Sequence, residues 1–177
     1  LLALVIAEPT LAASCSELSG AQIPASAIAL PTSGARVTAA TLNPGGGSAP
    51  QTFGPHCDLS VDIAPVDPSA PSIKMRIVLP DQWNSKAMMY GGGGYNGTVP
   101  NVAGNVPAGP IDQPTPLGRG YAVFASDSGH VANTVHPGDF AWNEEALANY
   151  GHDALKKTRD TAMYLIEQRY GQPPVRS

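Results

Sequence analysis

The sequence predicts an α/β protein that opens with a β-hairpin and continues as a mostly parallel sheet with flanking helices. Three observations predict it. Segments 57–64 and 72–79 alternate between polar and apolar residues, with one short turn between them. Two apolar runs of strand length follow, 86–90 and 121–125, separated by a proline-broken stretch. The last third carries apolar and small residues at helical spacing from 147 to 169. Strands followed by a long helix read as the start of a layered sheet protein, because each apolar face needs a second layer to bury it.

At the start, Leu1 to Ala7 is apolar and is followed by Glu8, Pro9 and the small residues Ala12, Ala13 and Ser14. This reads as the tail of a secretory signal peptide. Residues 1–14 are therefore expected to be its remnant, in a chain that has lost its first residues, and the protein is expected to be secreted or periplasmic. The run is far short of the ~20 apolar residues that span a bilayer, so no stable membrane association is expected. Ala13-Ser14-Cys15 also has the outline of a lipoprotein box, with Ala12 where Leu is usual. Cys15 and Cys57 are the two cysteines. In an oxidising compartment they fit one disulfide, closing a loop of about 40 residues and contributing ~3–4 kcal/mol. In a reducing one they would be two buried thiols; the signal-like start favours the bridge.

Further along, Ala35 to Leu42 alternates only in part, and Asn43 to Ser48 reads as a flexible loop. In 57–64, Leu59, Val61 and Ile63 share one face; in 72–79, Ile73, Met75, Ile77 and Leu79 point inward and Lys74 and Arg76 outward. Lys86 to Tyr90 is a short strand that runs into Gly91-Gly-Gly-Gly-Tyr-Asn-Gly-Thr98. Pro100, Pro107, Pro110, Pro114 and Pro116 exclude a long helix before residue 118, while Pro116 suits the first position of a short one. Tyr121 to Ala125 is continuously apolar, as in a strand covered on both faces. The helix presents Leu147, Tyr150, Ala154, Thr158, Ala162, Leu165 and Arg169 along one side, and Gly171-Gln-Pro-Pro174 ends it.

The net charge is −4, with no basic stripe beyond Lys156, Lys157 and Arg159, so a nucleic-acid partner is not expected. The glycine run lacks the Gly-Lys-Ser/Thr ending of a phosphate-binding loop and the helix that follows a dinucleotide fingerprint. Two readings of it stay open. One is an oxyanion loop, whose bare backbone amides approach a reacting carbonyl; the other is a plain surface loop. Asp127-Ser-Gly-His130 is too compact for a catalytic triad, and Asp127 and His130 are expected to hydrogen-bond nearby loops. His130, His136 and His152 lack acidic or cysteine company, so no metal site is expected. His56 reads as a surface residue. Asn96-Gly-Thr98 matches a glycosylation sequon on a loop that a sugar would block. No Gly-x-Ser-x-Gly elbow is present.

Taken in order, Leu79-Pro-Asp-Gln-Trp83-Asn84, Gly91-Gly-Gly-Gly-Tyr-Asn-Gly97, Gly120-Tyr-Ala and Asp127-Ser-Gly-His130 resemble the N-terminal part of the tannase and feruloyl esterase family. The resemblance runs from Cys15 to the end of the chain and includes the Cys15 and Cys57 pair. It implies the N-terminal part of an α/β-hydrolase catalytic domain over residues 15–177, truncated before the nucleophile elbow. The activity implied is that of a serine carboxylic ester hydrolase acting on a small aromatic ester. By this resemblance Gly94 supplies a backbone oxyanion donor, and Gly93, Tyr95 and Asn96 lie near the substrate. The nucleophile of the family follows the long helix in a Cys-Ser-x-Gly-Gly context, so the Ser, Asp and His of the triad are expected beyond Ser177. No cofactor is implied for residues 1–177; a lid calcium would belong to the C-terminal part. With the next strand also beyond the chain, Tyr121 to Ala125 is expected to lack a neighbour on one side. The rival reading, from the composition and the glycine run alone, is a complete secreted ligand-binding module with a glycine-lined site and no catalysis.

Overall fold

The computed structural model describes residues 12–106, 109–133 and 135–177; most of the signal-like start, residues 1–11, lies outside the described residues. Six strands form one sheet: β1 (Gln22–Ile23), β2 (Ala35–Asn43), β3 (His56–Ile63), β4 (Ile73–Pro80), β5 (Ala87–Met89) and β6 (Ala122–Ser126), in the spatial order β1-β2-β3-β4-β6-β5. The two alternating segments pair antiparallel as β3 and β4, in a register that sets Leu59 opposite Ile77 and Val61 opposite Met75. On the outward face Lys74 binds Asp62 at 2.5 Å, and the Arg76 guanidinium binds Asp58.

The sheet is mixed, which corrects the expectation of mostly parallel strands. β1 to β4 run antiparallel in succession and β6 is antiparallel to β4, so β5 with β6 is the one parallel pair of named strands among the described residues. Strand direction depends on how the chain crosses over, and that is not written in local periodicity. β6 also differs from expectation, because it lies between β4 and β5 and is paired on both sides. The outer edge of β5 is met by residues 175–176. Lys86 and Arg176 form a parallel bridge, with Ala87 N donating to Arg176 O at 2.9 Å and Val175 N to Ser85 O at 2.9 Å.

Each face of the sheet has its own cover. Leu59, Val61, Ile63, Ile73, Met75, Ile77, Leu79 and Phe124 pack with Leu165 and Ile166 of helix α2 (Ala154–Tyr170), and with Cys15, Leu18, Ile23 and Ile28 of the N-terminal segment. On the other face Val78, Val123, Ala125 and Tyr90 are covered by Val102 and Leu117, from the proline-broken connection. Loop segments and a short 3-10 helix (Leu117–Arg119), which follows Pro116 as expected, do there what a long crossover helix does in most parallel units, since the prolines exclude a long helix. Tyr90 is buried enough to push its phenol up to about 12.

The helical segment starts earlier than its periodicity suggested and is interrupted. A short helix α1 (Glu144–Ala148) is capped by Asn143, whose side chain accepts from Ala146 N, and a π turn over Asn149–Asp153 joins it to α2. The turn inserts an extra residue into the helical repeat. Buried positions therefore step from Ala146 and Asn149 to Ala154, while Leu147, expected on the inner side, is 48% exposed. Gly171 ends α2 in the left-handed conformation, its amide bonded to Glu167 O at 2.8 Å.

Cys15 and Cys57 are joined in a disulfide. The Cys15 sulfur is thus engaged, which sets aside the lipoprotein-box outline. The N-terminal segment is also tied to the far end of α2: Ala13 N donates to Gln168 O, and Arg169 Nη1 donates to Ala13 O, both at 2.8 Å. His56, expected at the surface, is only 5% exposed in β3, its Nδ1 lying 3.0 Å from Gly54 O. The loop expected to be flexible is closed by a bridge between Gly46 and Phe53. No helix among the described residues is long and apolar enough to cross a membrane.

Candidate active site

Two motifs meet where the parallel pair ends. β5 runs into the glycine loop and β6 into Asp127-Ser-Gly-His130, and the loops are hydrogen-bonded to each other. Gly97 N donates to Asp127 O at 3.1 Å, and Ala132 N donates to Gly97 O at 2.8 Å. Asn96, itself at φ +55°, sends its Nδ2 to Ser126 O at 3.1 Å and to Ser128 Oγ at 2.8 Å. The Asn96 amide therefore faces the end of β6.

Two glycines are required by this packing. A Cβ on Gly92 would stand 1.9 Å from Asn96 Oδ1, and one on Gly97, at φ +79°, would stand 2.4 Å from Ala132 N. Gly94 differs: it has φ +58° and open space around it, so only backbone strain opposes a side chain there. Gly91 to Tyr95 is exposed. Asn96 N donates to Gly93 O at 2.9 Å, closing a turn, whereas the Gly94 amide has no acceptor among the described residues. The Gly94 carbonyl accepts from the Tyr150 hydroxyl at 3.3 Å.

Asp127 is buried beneath these loops, 4% exposed. Its Oδ1 accepts from Lys74 N at 3.0 Å and Gly129 N at 2.8 Å, which joins the end of β6 to the start of β4. Burial raises its carboxyl above the ordinary range, against the opposing pull of the two amides and of the neighbouring His130 and Lys74. His130 departs from the expected loop hydrogen bond. It is 2% exposed and neither ring nitrogen has a partner among the described residues. Its ring stacks on Phe140 at 3.9 Å and meets Tyr150 edge-on at 5.5 Å, and these aromatic faces surround it where a polar group was expected.

Tyr95 completes an aromatic group, 6.0 Å from Tyr150 and 6.4 Å from Phe140. The structure thus brings together Gly93, Gly94, Tyr95, Asn96, Asp127 and His130, and leaves Cys15 and Cys57 in the core between the sheet and α2. The reading of the sequence missed Ser128, Phe140 and Tyr150. Tyr150 carried a signal, its helical spacing, but that signal reads as core. Among the described residues no three His, Cys, Asp or Glu side chains stand together in a way that could hold a metal ion.

Residues 57–177 match the family described as tannase and feruloyl esterase. An uncharacterized esterase of Agrobacterium fabrum is 45% identical over 162 residues, an alignment covering 92% of this chain and 29% of that protein. Mono(2-hydroxyethyl) terephthalate hydrolase of Piscinibacter sakaiensis is 28% identical over 127 residues, covering 66% of this chain and 21% of that protein. Among solved structures, an esterase from Aspergillus oryzae superposes with a TM-score of 0.60 at 22% identity, over 83% of this chain and 29% of that one. That likeness is one of fold, an α/β arrangement around a mixed sheet. The chain spans less than a third of the length of these relatives. On the sequence match over two thirds of its length, and on an esterase relative that covers nearly all of it, the chain belongs to the tannase and feruloyl esterase family.

Proposed function

We propose that this chain supplies the oxyanion-stabilising part of a secreted serine carboxylic ester hydrolase that acts on esters of aromatic acids. One observation carries the reading: the Gly94 amide, exposed at the end of a parallel strand, has no acceptor among the described residues. In this reading the sheet is that of an α/β-hydrolase, and a serine beyond Ser177 attacks the acyl carbon while a histidine takes its proton. The carbonyl oxygen becomes an anion, and the Gly94 N–H donates to it. Collapse of the tetrahedral adduct expels the alcohol with that proton. Water then repeats the attack on the acyl-enzyme and releases the acid. One such donor is worth ~2.7–4 kcal/mol of transition-state stabilisation.

The parallel bridge of Lys86 with Arg176 supports a sheet that continues beside β5, the place from which a nucleophile would be presented. Gly93 lets the ester approach without a side chain, and the half-exposed Tyr95 ring is the nearest aromatic surface for the acyl group. Asn96 acts through the loop, since its amide is committed to Ser126 and Ser128. The disulfide supports an oxidising compartment. The reaction calls for no cofactor.

The test is hydrolysis of methyl gallate, methyl ferulate and mono(2-hydroxyethyl) terephthalate by the full-length polypeptide and by residues 1–177 alone. The full-length protein is expected to cleave at least one of them, and residues 1–177 none. Enzyme-like turnover by residues 1–177, or an inert full-length protein, would sink the reading.

A further inference from the structure

We infer that Tyr150 is a positioning residue for this site: its hydroxyl clamps the Gly94 carbonyl and so fixes the peptide plane that carries the Tyr95 amide, the plane next to that of the Gly94 donor. The inference rests on the ester hydrolase reading and deepens it. Gly91 to Gly94 has no side chains with which to hold itself, and glycine tolerates either sign of φ. A rotated peptide plane would put a carbonyl oxygen where a donor is needed, and would repel the developing anion.

Two adjacent planes of the loop are held, each by a bond to its carbonyl. The Gly93–Gly94 peptide is held by Asn96 N donating to Gly93 O at 2.9 Å. The Gly94–Tyr95 peptide is held by the Tyr150 hydroxyl donating to Gly94 O at 3.3 Å. In a trans peptide the N–H points opposite to the C=O. The Gly94 and Tyr95 amides are therefore turned away from these partners, and neither has an acceptor among the described residues. The first restraint is local, within one turn of the loop. The second comes from 56 residues along the chain and is the one a single side-chain atom supplies.

Tyr150 lies in the π turn that joins α1 to α2. Its ring is fixed by the Phe140 ring at 4.9 Å, His130 at 5.5 Å and Tyr95 at 6.0 Å. This gives the buried, unpartnered His130 a purpose in the site: it offers ring faces against which Phe140 and Tyr150 are held. Tyr150→Phe removes the hydroxyl and keeps that packing.

The experiment measures the full-length wild-type protein and its Tyr150→Phe variant on a methyl ester of an aromatic acid. Phenylboronic acid serves as a second probe, since its tetrahedral adduct places an oxygen where the oxyanion forms. The variant is expected to lose about 3- to 10-fold in kcat, the range of one hydrogen bond. KM and Tm should stay unchanged, and affinity for phenylboronic acid should weaken by a similar factor. An unchanged kcat, a rise in KM at constant kcat, or undiminished boronate affinity overturns the positioning role and leaves the hydrolase reading standing. A wild-type protein inert to the ester and blind to the boronate overturns the hydrolase reading itself, and this inference with it.

Discussion

Asp127 follows β6 with its carboxyl group inside the protein, accepting from two backbone amides. Burial nevertheless leaves its pKa raised from 3.8, so the folded protein holds that proton more readily than the unfolded chain does. The stability linked to this group is fully present below pH 3.8 and is lost as pH rises through the raised, folded value. Asp127→Asn keeps an acceptor oxygen for the two amides and removes the titration. Urea midpoints measured from pH 3.5 to 7 are expected to fall less with rising pH in the variant than in the wild type; parallel profiles would refute this. At this scale the glycine run was visible after its strand, but the residues alone left an oxyanion loop and a plain surface loop equally open. Which glycines are hemmed in was not legible: Gly92 is closed in by Asn96 Oδ1 within the loop, and Gly97 by Ala132 of the neighbouring loop. Tyr150 was hidden for a similar reason, since a tyrosine at helical spacing looks the same whether it packs or points.

Between elements, β3 and β4 were the easiest to read, because a period of two with charges on the outer face admits one arrangement. The start of the long helix was misread by several residues, and the π turn explains it: the inserted residue moves the buried side from Leu147 to Ala146 and Asn149. That turn is held by polar contacts within the protein. Lys157, 2% exposed, donates from Nζ to Asn149 Oδ1 at 2.9 Å and lies 3.4 Å from Glu145 Oε1. Glu145 in turn accepts from the amides of Val66 and Asp67, joining α1 to the turn between β3 and β4. Asn149→Ala removes the nearer partner of a buried ammonium and is expected to cost ~1–3 kcal/mol, read as a lower urea midpoint at unchanged slope. A midpoint equal to that of the wild type would show that Glu145 alone satisfies the lysine. Strand direction, by contrast, left no trace in the residues, and the parallel share of the sheet was overestimated.

For the molecule as a whole, the α/β class followed from the order of patterns along the chain, while the way its second face is closed, by the proline-broken loop carrying Val102 and Leu117, needed the structure. The disulfide joins the N-terminal segment to β3 across 42 positions. Replacing both Cys15 and Cys57 by Ser is expected to lower stability by ~3–4 kcal/mol, seen as an earlier thermal transition under non-reducing conditions and none of that difference in dithiothreitol. Equal transitions without reductant would refute it. The bonds between Ala13 and the end of α2 join residues as far as 156 apart. Contacts of such separation close late, after the nearer ones have been made. A polypeptide emerging from the ribosome in order cannot complete them until Gln168 and Arg169 have appeared, so the anchorage of Ala13 waits until all of α2 has been made.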